Sequence, residues 1–200
     1  MSAPSASSPP HTPEFYSCWI GLGSNLGDSR ATLSGARSAL QNIGTIRATS
    51  SLWQSEPVGP ITGQPVFLNA VILLTTALPP EKLLQSLLAI ERTHLRDRSA
   101  QTPQGPRTLD LDLLLVEKFP GNFPEKIPAE NPDPVLFDLP GLTLPHPQLA
   151  RRRFVLAPLA EISPATIHPT LHQTIAELLA ALPAQGPNAP HAVISVGPLA

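Results

Sequence analysis

Proline is the residue that most restricts where this chain can form regular structure. The sequence contains 26 prolines among its 200 residues, and most of them lie near the two ends or between residues 120 and 147. Because proline lacks a backbone donor and disfavours helix at the preceding residue, these stretches favour loops or extended chain. We therefore predict a disordered Pro-rich leader over residues 1–15, a single domain over 16–182 with a Pro-rich insertion at 117–141, and a Pro-rich tail over 183–200.

The hydrophobic pattern between the prolines predicts regular elements in the order β-α-β-β-α-β. The strands are predicted at residues 16–22, 45–53, 66–76 and 109–116, and the helices at 28–42, which Asp28 can cap, and at 80–96. This order is that of the ferredoxin-like fold, in which helices pack on one face of an antiparallel sheet, so the predicted class is α+β. Shorter C-terminal helices are expected within 147–162 and 171–182, and a late strand at 192–196.

Composition limits the partners that the chain can have. Hydrophobic residues make up 42% of the sequence and charged residues 14%, with a formal net charge of −2. The chain can bury a core, but it lacks the basic surface of a nonspecific nucleic-acid or membrane binder and any apolar run of the roughly 20 residues that a membrane span needs. The single cysteine, Cys18, and the lack of a secretory signal indicate a reducing compartment. We expect a cytoplasmic monomer that binds small molecules, with no nucleic-acid or membrane partner.

The most informative motif is GPRTLDLDL, residues 105–113, which leads into the fourth strand. Because side chains alternate along a strand, Asp110 and Asp112 share one face, roughly 7 Å apart, while the leucines face the core. Two carboxylates this close repel each other unless a cation or water lies between them. Mg²⁺ suits the pair, because it binds one or two carboxylates and completes its octahedron with water and substrate phosphates. A solvated polar face of an edge strand is the alternative that the motif alone leaves open.

Arginine is concentrated around this motif, which favours a polyphosphate ligand. Seven of the 13 basic residues lie in two windows, at Arg92, Arg96, Arg98 and Arg107 and at residues 151–153. Arginine can bind phosphate through two parallel hydrogen bonds. Any one of these arginines could instead pair with a surface carboxylate, but the joint pattern beside the aspartates indicates a phosphate site.

Three weaker signals accompany the motif. Residues 21–28 form a glycine-rich turn without the spacing of a P-loop or a dinucleotide motif, so a tight turn with a helix cap is the alternative. Phe67 and Asn69 share a face of the third strand and could read a flat heterocycle, or could be a core ring beside a capping amide. His146 lies between two prolines and could donate to a phosphate or lie in a surface turn.

Together these segments resemble the 6-hydroxymethyl-7,8-dihydropterin pyrophosphokinase family of folate biosynthesis. The resemblance covers about residues 19–164 and is carried by residues 21–28, 55–60, 64–70, 90–91, 105–114 and 142–147, followed by Arg152 and Phe154. It implies an enzyme that transfers pyrophosphate from ATP to the hydroxymethyl group of the reduced pterin, with Mg²⁺ as cofactor and AMP as the second product.

The resemblance also implies a role for each matching residue. The metal ligands for two Mg²⁺ ions would be Asp110 and Asp112. The triphosphate would be contacted by Arg96, Arg98, Arg107, His146 and Arg152, and the nucleoside would lie near Glu91 and Leu113. The pterin would stack between Phe67 and Phe154, lie against Gly23, and be read by Asn69, Ser55 and Val58. Catalysis would depend on Arg96, Arg107, Asp110 and Asp112, with Asp110 as the candidate proton acceptor.

The chain departs from the family pattern mainly in loops beside the site. Leu95, Pro103 and Gln104 stand where the family often has glycine, a basic residue and tryptophan, and Glu56 stands where proline is usual. Two other classes stay open on the sequence alone. One is a metal nuclease or nucleotidyltransferase that uses the same carboxylates, and the other is a ferredoxin-like module that binds a ligand without turnover.

Overall fold

The structure, a computed structural model, describes residues 14–58, 63–94, 105–120, 133–183 and 192–199. The predicted leader up to residue 13 and the central part of the predicted 117–141 insertion lie outside these ranges. Within them, no helix combines the length and the apolar character that crossing a bilayer requires.

The elements follow the predicted order and continue beyond it. They are β1 (Glu14–Ser24), α1 (Ser29–Leu40), β2 (Thr45–Thr49), β3 (Ser51–Ser55), β4 (Phe67–Thr76), α2 (Pro80–His94), β5 (Asp110–Pro120), β6 (Asp133–Pro134), β7 (Phe137–Leu139), β8 (Leu142–Leu144), a 3₁₀ turn (Leu149–Arg151), α3 (Arg153–Ile162), α4 (Ile175–Ala181) and β9 (Ile194–Pro198). Both C-terminal helices and the late strand thus form close to where the sequence predicts them.

Seven strands form one sheet in the order β6-β5-β1-β4-β3-β9, with β2 also paired to β4. At its centre β1 runs antiparallel to β4 and to β5, so that Ile20 lies opposite Ile72 on one side and Leu113 on the other. β2 and β3 run antiparallel to β4. The order β5-β1-β4-β2/β3 is that of a ferredoxin-like sheet, which confirms the predicted α+β class.

Helices cover both faces of the sheet. α1 and α2 bury Leu33 and Leu87 in a first core, as predicted for helices on one face. On the opposite face α3 and α4 bury Leu156 and Ile175 against Trp19 and its neighbours, which forms a second core. The C-terminal helices therefore close the face that the βαββαβ unit alone leaves open.

The start of α1 is fixed by its predicted cap, and the turn after it by a glycine. Asp28 Oδ1 accepts a hydrogen bond from the Ala31 N–H at 3.0 Å. At Gly44 an added Cβ would lie 2.6 Å from the Thr75 carbonyl oxygen and 2.9 Å from Leu74 Cγ. A side chain at position 44 would therefore collide with β4, and glycine lets the chain pass into β2.

The strand predicted at 45–53 is two strands, with Ser50 as the break. The Ser50 N–H donates to the Val71 carbonyl oxygen, and Ser50 Oγ accepts from the Val71 N–H, both at 2.9 Å. Because the side chain replaces the backbone carbonyl in this pair, the regular ladder is interrupted between β2 and β3. β1 in turn begins at Glu14, two residues inside the predicted leader.

Part of the predicted Pro-rich tail belongs to the sheet. β9 pairs antiparallel with β3, and Arg30 of α1 donates to the carbonyl oxygens of Val196 and Pro198 at 3.2 and 3.1 Å. Leu199 is buried in the first core. This segment therefore packs on the sheet, because pairing with β3 and burial of Leu199 outweigh the local effect of proline, while the division of the chain at residue 183 stays a prediction.

Replacement of Leu87 tests the packing of α2. Leu87 is fully buried, whereas Leu84 and Leu88 on the same helix are partly exposed. Leu87→Ala is expected to lower the free energy of unfolding by about 2–5 kcal/mol, because it leaves a cavity in the first core. Gln85→Ala, at an exposed position of the same helix, should change it by less than about 0.5 kcal/mol. Chemical denaturation measures both, and a loss in Leu87→Ala no larger than in the control would contradict this packing.

Candidate active site

A cavity of about 170 Å³ lies on the sheet face that carries α3. Strands β1, β4 and β5, the loops next to them and the N-terminal end of α3 form its wall. The predicted site residues that line it are Gly23, Ser55, Val58, Phe67, Asn69, Arg107, Asp110, Asp112, Arg152 and Phe154. The fold thus brings together most of the residues that the sequence singled out.

Asn69 has an amide whose orientation is set by β3. Its Nδ2 donates to the Trp53 carbonyl oxygen at 3.2 Å and to Ser55 Oγ at 2.9 Å. These two bonds use both amide hydrogens, and Oδ1 lies beside Gly23, where an added Cβ would be 3.7 Å away. Asn69 therefore offers the cavity an acceptor, which suits the N–H edge of a heterocycle.

Two aromatic rings add apolar surface to the cavity. Phe67 begins β4 and Phe154 lies in the first turn of α3, and both rings are partly buried at the cavity wall. The guanidinium carbon of Arg152 is 5.6 Å from the centroid of the Phe154 ring, a cation–π distance. The cavity therefore combines stacking surface with positive charge.

Asp110 and Asp112 both face the cavity, while the alternating Leu109, Leu111 and Leu113 are buried in the first core. This is the arrangement that the strand pattern predicts. Asp110 Oδ1 accepts a hydrogen bond from Arg107 Nη1, so one of the two carboxylates is already paired with a cation.

The electrostatics of Asp112 favour a bound cation. Burial, and then the charge of Asp110, raise the pKa of Asp112 above its ordinary value, although His146, Arg152 and Arg107 act in the opposite direction. A pair of partly buried carboxylates is a donor set of hard oxygens and fits Mg²⁺. Among the described residues no group of three or more His, Cys, Asp or Glu side chains converges as a metal site. An ion held here would therefore take its other ligands from water and substrate.

His146 is held by the backbone beside the aspartates. Its N–H donates to the Leu114 carbonyl oxygen at 2.8 Å, and its Nδ1 accepts from the Gln148 N–H at 3.2 Å. Burial lowers the pKa of His146, and Arg152 lowers it further, while the Asp112 and Asp110 carboxylates raise it. In the neutral ring the proton is therefore on Nε2, which leaves Nε2–H as the donor for a ligand.

Two predicted nucleoside contacts lie elsewhere. Glu91 is buried, and its Oε1 accepts from the Leu111 N–H at 2.8 Å. Burial raises the pKa of Glu91, the hydrogen bond from Leu111 lowers it, and Asp110 adds to the rise. Leu113 is part of the first core. Neither residue lines the cavity, so the structure does not bring them to the aspartates' face, and a nucleoside role for them stays a prediction.

Several predicted positions fall outside the described residues. They are the site residues Arg96 and Arg98 and the family departures Leu95, Pro103 and Gln104. Their roles stay predictions.

Sequence reasoning missed Asn25, which joins three loops. Its N–H donates to the Arg107 carbonyl oxygen at 3.0 Å, its Oδ1 accepts from the Arg107 N–H at 2.7 Å, and its Nδ2 donates to the Pro65 carbonyl oxygen at 3.1 Å. Asn25 is 3% exposed. An asparagine in a glycine-rich turn is normally a surface residue, so nothing local revealed these partners. Leu114 and Val155 also line the cavity without having been predicted.

Asp112→Asn tests the cost of the buried carboxylate. A carboxyl whose pKa is raised in the folded state destabilises the fold when it is ionised. This destabilisation begins near the unfolded-state pKa of about 3.9, grows as the pH rises through the folded-state pKa, and is complete above it. We therefore expect the variant to melt at a higher temperature than the wild type at pH 7, with the difference vanishing in acid. Added Mg²⁺ should raise the melting temperature of the wild type and not of the variant. Asp138→Asn, at an exposed site in β7, should retain the Mg²⁺ response. A variant that melts below the wild type at pH 7 would contradict this reasoning.

Asn25→Ala tests the link between the loops. We expect a loss of about 1–3 kcal/mol of unfolding free energy, because partly buried hydrogen bonds to the Arg107 N–H and the Pro65 carbonyl oxygen are lost. Hydrogen exchange followed by mass spectrometry should show faster exchange at the Arg107 amide. Asn42→Ala, at an exposed position just after α1, is the matched control. Unchanged exchange at Arg107 in Asn25→Ala would argue against the link.

Comparison with known proteins gives the same assignment as the geometry. Residues 19–164 match the model of the family described as 7,8-dihydro-6-hydroxymethylpterin-pyrophosphokinase (HPPK). The chain is 40% identical over 170 residues to the 2-amino-4-hydroxy-6-hydroxymethyldihydropteridine pyrophosphokinase of Pseudomonas aeruginosa, an alignment that covers 84% of this chain and 93% of that protein. It is 38% identical to the Synechocystis protein of the same name, over 80% of this chain and 73% of the relative.

Longer proteins contain a similar domain. The folic acid synthesis protein fol1 of Schizosaccharomyces pombe is 35% identical over 84% of this chain, which spans 21% of that protein. Plasmodium falciparum HPPK-DHPS, solved with pterin and p-hydroxybenzoate, superposes with a TM-score of 0.59 at 16% identity, over 86% of this chain and 44% of that chain. The structural likeness supports the fold, and the sequence matches show that this chain belongs to the 7,8-dihydro-6-hydroxymethylpterin-pyrophosphokinase family.

Proposed function

We propose that the protein transfers the pyrophosphoryl group of ATP to the hydroxymethyl oxygen of 6-hydroxymethyl-7,8-dihydropterin, which yields AMP and the pterin pyrophosphate of folate biosynthesis. The observation that carries the proposal is one cavity in which Phe67, Asn69 and Phe154 lie beside Asp110 and Asp112. The first three side chains suit a flat polar ring, and the two carboxylates suit Mg²⁺-bound phosphate. We further propose that it acts in the cytoplasm as a monomer.

The pterin half of the site would bind the ring by stacking and by its edge. Phe67 and Phe154 provide the rings on which a pterin can stack. Asn69 Oδ1 accepts from a ring N–H, while Ser55 and the exposed rim residue Val58 lie along the same wall. An acceptor in a partly closed cavity discriminates strongly, because a ligand without the matching donor leaves it unpaired.

Gly23 connects the two halves of the site. A Cβ at this position would lie 3.7 Å from Asn69 Oδ1 and 3.9 Å from Asp110 Cβ. Gly23, which has no side chain, therefore lies between the amide of Asn69 and the side chain of Asp110. A substituent on a pterin edge held by Asn69 can pass over this glycine towards Asp110, which is where the hydroxymethyl group must react.

The phosphate half combines positive groups with the carboxylate pair. Arg107, Arg152 and His146 Nε2–H would bind phosphate oxygens, and Arg96 and Arg98 are proposed to add contacts. Asp110 and Asp112 would hold Mg²⁺, for which we propose two ions. When bound, Mg²⁺ supplies charge neutralisation and alignment of the phosphate chain.

The reaction forms a bond from the hydroxymethyl oxygen to the β-phosphorus and breaks the bond from that phosphorus to the bridging α,β oxygen. The bonding electrons leave with AMP, whose new negative charge Arg107 and Arg152 can stabilise. The hydroxymethyl proton needs an acceptor, and Asp110 at the cavity wall is the candidate. Transfer of this kind depends mostly on alignment and charge stabilisation, which agrees with a cavity whose described lining contains no histidine or lysine as a separate base.

Product analysis tests the proposal. Wild-type protein with ATP, Mg²⁺ and the reduced pterin alcohol should give AMP and pterin pyrophosphate in equal amounts, without ADP. Asp112→Ala should lower kcat by about a hundredfold or more, because it removes a proposed ligand of the Mg²⁺ that would stabilise the charge developing on the phosphate. The circular dichroism spectrum of the variant should match that of the wild type. Asp138→Ala, exposed in β7, serves as control. Formation of ADP, AMP release without the pterin, or full turnover by Asp112→Ala would contradict the proposal.

A further inference from the structure

Both tryptophans of the chain donate their indole N–H to the C-terminal end of α3. Trp19 Nε1 donates to Ser163 Oγ, and Trp53 Nε1 donates to Glu161 Oε2, each at 2.8 Å. The other oxygen of Glu161, Oε1, accepts from the Ser51 N–H at 3.0 Å and from Ser51 Oγ at 2.8 Å. Glu161 therefore joins α3 to β3 through both of its carboxylate oxygens.

The two elements that Glu161 joins carry opposite parts of the ring site. α3 begins at Arg153, directly after Arg152, and has Phe154 in its first turn. β3 ends at Ser55, which lines the cavity. The distance between the stacking ring on the helix and the polar groups on the strand therefore depends on how firmly α3 is held against β3.

Trp53 extends the connection to the residue that reads the ring edge. Its indole N–H binds Glu161, while its carbonyl oxygen accepts from Asn69 Nδ2 at 3.2 Å. The pairing of Trp53 with Asn69 in the β3–β4 ladder keeps the two residues opposite each other. A continuous path of hydrogen bonds thus runs from α3 through Trp53 to the amide in the cavity.

The charge of Glu161 strengthens these bonds, which lie at an exposed position. Burial opposes its ionisation, but the hydrogen bonds from Trp53 and Ser51 outweigh burial, so the pKa of Glu161 lies below its ordinary value. An ionised acceptor makes shorter and stronger hydrogen bonds than a neutral one. The carboxylate lies outside the cavity and contacts neither the aspartates nor the stacking rings, so its influence on a ligand must pass through Trp53 and Ser51.

We propose that Glu161 is a positioning residue that sets the spacing between Phe154 on α3 and the Asn69–Ser55 edge on β3 and β4, and thereby controls affinity for the pterin. The proposal rests on the proposed function for the identity of the ring ligand. It assigns the pterin half of the site to a carboxylate at the far end of α3. Binding of ATP should depend on Glu161 much less, because the two aspartates and Arg107 lie on β5 and the loop before it, and only Arg152 adjoins α3.

Glu177 provides a matched control for the loss of a carboxylate. On α4, Glu177 Oε2 accepts from the Thr174 N–H at 2.7 Å and from Thr174 Oγ1 at 2.8 Å. It therefore holds a backbone N–H and a hydroxyl as Glu161 does, but it closes a capping box and has no connection to the cavity. A purely structural carboxylate should behave like Glu177 when it is changed to glutamine.

The experiment compares Glu161→Gln with Glu177→Gln in full-length protein. Glu161→Gln replaces one of the two accepting carboxylate oxygens by an NH₂ group, which cannot accept, so either Trp53 or Ser51 loses its acceptor. We expect KM for the pterin to rise about tenfold, while kcat and KM for ATP change by less than about twofold. Glu177→Gln removes the charge but keeps an oxygen that can accept both bonds, so it should lose less melting temperature and leave both KM values unchanged. Equal pterin KM values in the two variants, or a parallel loss of ATP affinity in Glu161→Gln, would overturn the proposal.

A double-mutant cycle with Trp53→Phe tests the path itself. Trp53→Phe keeps an aromatic side chain and removes the indole N–H, so it should raise pterin KM in the same way as Glu161→Gln. The combined variant should show little further increase, because both changes break one connection. Fully additive increases would refute the path through Trp53.

A direct measurement of pterin binding tests the positioning role of Glu161 independently of the proposed reaction. Titration of the pterin alcohol in the presence of Mg²⁺ and a non-hydrolysable ATP analogue should show the same weakening in Glu161→Gln. If the wild type binds the pterin but releases no AMP, the proposed reaction fails while the positioning role is still measured. If the wild type forms AMP and both glutamine variants bind the pterin equally, only the positioning role fails.

Discussion

The side-by-side placement of Asp110 and Asp112 is the constraint on which the rest of the structure depends. The alternation of β5 that turns these carboxylates to the cavity turns Leu109, Leu111 and Leu113 into the first core. Burial of each leucine side chain contributes about 1.5–3 kcal/mol, which offsets the repulsion between the acids. A shift of the strand by one residue would exchange the two sets and bury both carboxylates, so the core itself holds the register that the chemistry needs.

A bulge in the same strand pair adapts the sheet to its second layer. The register between β1 and β5 shifts between Trp19 and Ile20, so Leu114 is the extra residue on β5. Leu114 keeps the alternation that turns Asp110 and Asp112 to the cavity, and as a consequence of the bulge Leu115, the next residue, packs in the second core instead of the first. Bulges next to active sites commonly redirect a side chain in this way. Here the bulge lets one strand carry two acids over the cavity and then support α3 and α4.

The sequence predicts those features of the fold and the site that depend on local pattern. The alternation around Asp110, the Asp28 cap and the pairing of Phe67 with Asn69 on one face all follow from spacing within one element, and the structure has each of them. The features that sequence reasoning missed depend on partners far along the chain. Ser50 breaks a strand through Val71, and Asn25 holds Arg107. No local pattern encodes such pairs, because either residue alone suits an ordinary turn or strand.

The two halves of the site differ in how they are held. The residues proposed to bind the ring lie on regular elements, β3, β4 and α3, which are joined by ladder bonds and by the hydrogen bonds of Glu161. Arg107, in contrast, lies in a loop and depends on Asn25 for its backbone position. Groups on rigid elements hold a ligand geometry more closely than groups on loops. Under the proposed function, the ring half of the site is therefore preorganised by the fold, whereas the placement of charge in the phosphate half depends on polar contacts between loops, and the two halves meet at Gly23.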